Sequence, residues 1–99
     1  MNNQQVIKFF KKGRAVNVKN NVSNLSWIGP SGFLKSYGTP IAYHRANSNT
    51  IKILKRAVAL GGKSITPTTS RHIMMAYRAA KETGKKIELI DTVNELKQK

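Results

Sequence analysis

TPTTSRHIMMAYRAAKETG, running from Thr66 to Gly84, reads as the clearest helix in the chain, and the rest of the fold can be arranged around it. Thr66 is placed as its N-cap. Pro67 takes the first helical position, where a missing N–H removes no hydrogen bond, and Gly84 stands just past the end. Ile73, Ala76, Tyr77 and Ala80 fall on one face, while Arg71, Met75, Arg78 and Glu82 fall on the opposite one. The expected main helix therefore spans about residues 67–83, with an apolar side for a core and a side that presents two arginines.

Upstream of it the pattern changes from helical to alternating. Residues 3–12 form a short helix, with Asn2 or Asn3 as cap, Val6 and Phe10 on one face and Gly13 as stop. Val16 and Val18 alternate before the Asn20-Asn21 turn signal. Phe33 to Arg45, with Tyr37-Gly38-Thr39-Pro40 in its middle, reads as two short extended pieces around a Gly-Pro irregularity, with Pro40 at an edge or bulge. Ala46-Asn47-Ser48-Asn49 is the next turn. Residues 50–60 fit a strand at Ile51 and Ile53, or a helix stopped by Gly61. Lys63 to Ile65 fits a brief strand, Lys85 to Ile90 a further one, and Asp91 caps a short C-terminal helix containing Val93 and Leu96. The sum is a small single α+β domain over residues 1–99, with a short antiparallel sheet, one main helix and short terminal helices.

Charge is distributed in one direction. The first 81 residues hold fourteen Lys and Arg and no Asp or Glu; all four acids, Glu82, Glu88, Asp91 and Glu95, follow, and the whole chain carries +14. A surface selected only for solubility mixes its signs. An acid-free stretch of this length points to a polyanionic partner, DNA or RNA, held through phosphate contacts with little sequence specificity. It also removes carboxylate chemistry from that stretch, so no acid there can hold Mg²⁺ or orient a catalytic His. Residues 82–99 balance four Lys against four acids, which makes the tail a neutral closing element. No cysteine is present, so disulfides, thiolate nucleophiles and Cys-based zinc sites are excluded, and no cofactor is expected. The apolar cluster Val6, Ile7, Phe9 and Phe10 is too short for a signal-peptide core or a membrane span, so no membrane partner and a cytoplasmic location are expected.

The candidate nucleic-acid contacts are Lys8, Lys11, Lys12 and Arg14 near the start, Lys52, Lys55 and Arg56 in the middle, and Lys63, Arg71 and Arg78 around the main helix. Tyr37 and Tyr43, interleaved with Lys35 and Arg45, are candidates for stacking on bases, whereas Trp27 and Phe33 are read as core. Thr68, Thr69, Ser70 and His72 open the main helix, where free N–H groups attract anions, and they form a candidate phosphate site; ordinary capping uses only one such hydroxyl. No residues carry a metal-ligand spacing. Two alternatives stand beside nucleic-acid binding. One is an inhibitor that docks on an acidic surface of a host enzyme. The other is a metal-independent ribonuclease using His44, His72, Tyr43 and Arg71.

Ser36-Tyr37-Gly38-Thr39-Pro40-Ile41-Ala42-Tyr43, followed by Ser64, Thr68-Thr69-Ser70 and Arg71-His72, resembles a family of small proteins encoded by bacteriophages and other mobile elements. In these an SYGTPIA strand precedes a TTSRH helix start. The resemblance covers about residues 33–75. It implies a phage origin, an α+β fold and a strand at residues 50–54, and it carries no activity with it.

Overall fold

A computed structural model describes residues 2–55, 67–91 and 96 of the chain. Helix α1, Asn3–Lys12, starts at a reciprocal cap: the Asn2 side chain accepts from the Gln5 backbone N–H at 2.9 Å, and the Gln5 side chain accepts from the Asn2 backbone N–H at 2.8 Å. It stops at Gly13, whose φ of 63° is left-handed and whose N–H returns to the Phe9 and Phe10 carbonyls. Val6, Ile7 and Phe10 form its buried face, as the spacing of Val6 and Phe10 predicts.

Six strands follow in a single sheet: β1 Asn17–Asn20, β2 Leu25–Ile28, β3 Phe33–Ser36, β4 Thr39–Tyr43, β5 Thr50–Leu54 and, after helix α2 at Pro67–Thr83, β6 Lys86–Ile90. They lie in chain order, antiparallel from β1 to β5, with β6 parallel to β5. The sheet is thus larger than the short antiparallel one expected, and it is mixed. The parallel pair arises because a helix separates its two strands, as a parallel connection requires.

The β3–β4 turn is made by Tyr37 and Gly38, both at positive φ (52° and 80°), the backbone of a two-residue hairpin whose twist matches its strands. Pro40 is followed by a register shift opposite Leu34 and Lys35, the bulge that its missing N–H favours. Ile41 and Ala42 are consequently both fully buried. Residues 50–54 are strand, and α2 covers the expected 67–83. Thr66, the brief strand at 63–65 and the helical alternative for 56–60 lie outside the described residues. So does the expected C-terminal helix, apart from Leu96, which is buried.

α1 and α2 lie on one side of the sheet. α1 packs on β1 and β2, α2 packs on β4 and β5, and the two helices touch each other. The core between the layers joins Val6 and Phe10 to Leu25, Trp27, Leu34, Ile41, Ile51, Ile53, Ile73, Ala76 and Ala80. Phe10 sits at its centre, edge-on to Trp27 at 5.7 Å and to the His44 ring at 5.8 Å. Tyr77, expected on the apolar face of α2, lies at the margin of that face and is 38% exposed, with the Lys81 ammonium 5.6 Å from its ring centroid. Val16 falls before β1 and is exposed, so it does not share a strand face with Val18.

Candidate nucleic-acid interface

Side chains on opposed strand positions share a face, so the pairing registers sort the sheet into two surfaces. Val18, Trp27 and Leu34 stand in line on the helix side. The positions between them build the other side. One row crosses all six strands as Asn17, Ile28, Phe33, Tyr43, Lys52 and Glu88. A second row holds Lys19, Ser26, Lys35 and Pro40, and Thr50 pairs with Lys86. Among the described residues no helix covers this side. Phe33 and Tyr43 are half-buried neighbours, ring centroids 5.1 Å apart and inclined by 59°, and Arg45 donates from Nε to the Tyr43 hydroxyl at 2.8 Å.

Phe33 is therefore not a core residue. It neighbours Leu34 in a strand, and strand geometry sends consecutive side chains to opposite faces: Leu34 goes to the core, Phe33 to the open side. Lys19 and Lys86, neither of them in the candidate set, join Lys35 and Lys52 there. Alternation was the signal that could have found them, once the strands had been placed. Tyr43 stands on this side as well, and Tyr37 is exposed at the tip of the β3–β4 hairpin.

The helix side gathers a different set. Lys8, Lys11 and Lys12 of α1 meet Arg78 of α2 along a groove of about 510 Å³, which Gln4, Ile7, Met75, Ala79 and Glu82 also line. Two groups far apart in the chain thus become one basic surface. Glu82 is its acid and pairs with Lys11 at 2.8 Å. Arg14 lies beside this region, its guanidinium 5.8 Å from the Phe9 ring centroid, and Arg71 is exposed further along α2. Lys55 is paired with Asp91 at 2.7 Å. Arg56 and Lys63 lie outside the described residues. The tail is consequently not a separate neutral element, because Glu82 and Asp91 return to the basic part and Lys86 adds to the open face.

The helix-start residues have a different setting. Ser36 Oγ lies 2.8 Å from His72 Nδ1 and 3.1 Å from Thr69 Oγ1, and all three residues are buried. The SYGTPIA segment and the TTSRH segment therefore meet in space, and their hydroxyl–imidazole cluster fastens α2 to β3. Thr68 and Ser70 are half-buried on the same turn. Burial, reinforced by Arg71, lowers the His72 pKa below the usual imidazole value.

His44 is buried too. Its Nδ1–H donates to the Phe10 carbonyl at 2.7 Å, which leaves Nε2 to accept from Lys85 Nζ at 2.8 Å. Its pKa is lowered chiefly by burial; the Phe10 bond opposes this and the Lys85 charge adds to it. Lys85 also donates toward the carbonyls of Arg45 and Ala46. The His44–Lys85 pair thus ties the end of α1, the end of β4 and the entry to β6 together. Among the described residues no group of three His, Cys, Asp or Glu is placed to hold a metal, and no helix is long and apolar enough to cross a membrane.

Neither the curated proteins nor the solved structures contain a match to this chain. A family pattern spans residues 1–91, and with it the chain belongs to DUF8033, a family of unknown function.

Proposed function

We propose that the protein binds nucleic acid through phosphate contacts with little sequence specificity. The observation that carries this reading is the convergence of Lys8, Lys11, Lys12 and Arg78 on one groove, where among the described residues one acid, Glu82, offsets them. Four cations brought from two helices form a field that a polyanion neutralises, and released counter-ions supply the driving force. The bacteriophage-family resemblance at residues 36–43 and 68–72 sets the proposal in a phage or mobile-element context, inside a bacterial cytoplasm.

The ribonuclease reading draws no support from this geometry. Both imidazoles are buried, His44 is engaged through both nitrogens and His72 through Nδ1. No catalytic residue is proposed.

Fluorescence anisotropy with labelled DNA and RNA, at salt from about 50 mM to about 200 mM, tests the reading. Log affinity falls linearly with log salt, at about −0.9 per phosphate neutralised on duplex DNA. Lys8→Gln, Lys12→Gln and Arg78→Gln together make the slope shallower by up to about three such contacts. Absence of binding at the lowest salt overturns the reading in favour of an acidic host protein as partner.

A further inference from the structure

We propose that the face of the sheet opposite α1 and α2 is a binding surface for single-stranded nucleic acid, on which unpaired bases stack against Phe33 and Tyr43. The inference rests on the nucleic-acid reading and deepens it by naming the class of strand and a second surface.

Three observations converge on this face. Among the described residues it carries Lys19, Lys35, Lys52 and Lys86 from four different strands, with Arg45 at its margin, against the acid Glu88. A polyanion is complementary to that balance. In its middle, on neighbouring strands, stand two aromatic rings that the core does not enclose. The Arg45 bond to the Tyr43 hydroxyl restrains one of those rings and places a cation beside it. Rings held in this way lose little freedom when a base settles on them.

The aromatic pair decides between strand types. In a duplex the faces of the bases are already stacked on one another, so only the edges and the phosphates are offered. An unpaired base offers its face, and every base has one, so stacking adds affinity without reading sequence. Lys35 lies two positions along β3 from Phe33, and Lys52 lies directly across from Tyr43 on β5. The rings thus have one lysine two residues along a strand and another on the adjacent strand, an arrangement suited to a backbone that passes over them. The groove of Lys8, Lys12 and Arg78 lies on the other side of the sheet, so the two surfaces can be altered independently.

The test compares a fluorescein-labelled oligothymidine of about twelve nucleotides with a duplex of equal length. Phe33→Leu/Tyr43→Leu removes the rings and keeps apolar bulk. The double variant loses about tenfold or more per ring in affinity for the single strand, and its duplex affinity stays within about twofold. Phe33→Trp provides a reading that does not depend on that variant folding: its emission is quenched when the oligothymidine is added. Unchanged single-strand affinity in a folded double variant, or emission from Phe33→Trp that does not respond, overturns the stacking surface and leaves phosphate binding standing. Failure of the unaltered protein to bind either oligonucleotide at about 50 mM salt overturns both.

Discussion

Ser36 Oγ and His72 Nδ1 are 2.8 Å apart inside the protein, and their contact joins the third strand to the main helix. Thr69 Oγ1 completes the cluster at 3.1 Å from the same serine oxygen. Ser36→Ala takes from the buried His72 Nδ1 the hydroxyl that faces it. The expected loss is about 1–3 kcal/mol, read from urea unfolding. The Ser36→Ala/His72→Leu double variant costs less than the two single effects added, because serine and imidazole are removed together. Additive losses would show that the contact has no energetic weight.

Both histidines have pKa values lowered by burial, and this fixes the sign of the pH response. As pH falls below about 6.5, the unfolded chain takes up protons on His44 and His72 before the folded one does. Stability is therefore fully present above that value and declines as pH falls toward the folded values. Urea midpoints at about pH 7.5 and about pH 5.5 should differ in that direction, and the difference should shrink in His72→Asn. A midpoint that does not move over this interval contradicts the assignment of neutral, buried imidazoles.

Gly29 carries no side chain because the backbone of Arg14 and Val16 passes over it. The same passage lets Trp27 donate from Nε1 to the Arg14 carbonyl at 2.8 Å and receives a Gly29 N–H bond at the Val16 carbonyl. A methyl group there meets main chain, which cannot rotate away. Gly29→Ala should cost at least about 2 kcal/mol and shift the fluorescence of the only tryptophan. A variant as stable as the parent would mean that residues 14–16 can move away from Gly29 freely.

Glu82 holds one of the four groove cations. Glu82→Gln frees Lys11 and should tighten duplex binding at low salt by a few fold, with an effect that fades at about 200 mM. Stability should change by less than about 1 kcal/mol, since both side chains are well exposed. Weaker binding by Glu82→Gln would place the duplex on another surface.

The sequence signals that worked were local ones. Pro67, Gly84 and the apolar spacing between them delimit α2, and Asn2 with Gly13 delimits α1, because caps act within one turn. Gly38 and Pro40 marked the break between β3 and β4 for the same reason, without locating the turn at Tyr37 and Gly38. β1 and β2 are four residues each, too short for alternation to stand out, and β2 carries three apolar or small residues around Trp27. The parallel pairing of β5 with β6 is a contact between distant segments, which no periodicity encodes. The candidate site divides along the same line. The cations were legible as a list, but the meeting of Lys8 and Lys12 with Arg78 depends on how α1 lies against α2. Thr69 and His72, read as possible phosphate ligands from their place at a helix start, prove to be partners of Ser36, a residue 33 positions from Thr69 in the chain.

The strand order also bears on how the chain reaches its native state. Each antiparallel pair from β1–β2 to β4–β5 joins neighbours in sequence, so each closes a short loop at small entropic cost. Pairing Thr50 with Lys86 closes a longer loop that contains α2. The last strand should accordingly be added late, and pulse-labelled hydrogen exchange during refolding should protect amides of β2 and β3 before those of β6. An intermediate that lacks this strand would expose the free edge of β5 to neighbouring chains, while the repulsion of a chain carrying +14 keeps those neighbours at a distance.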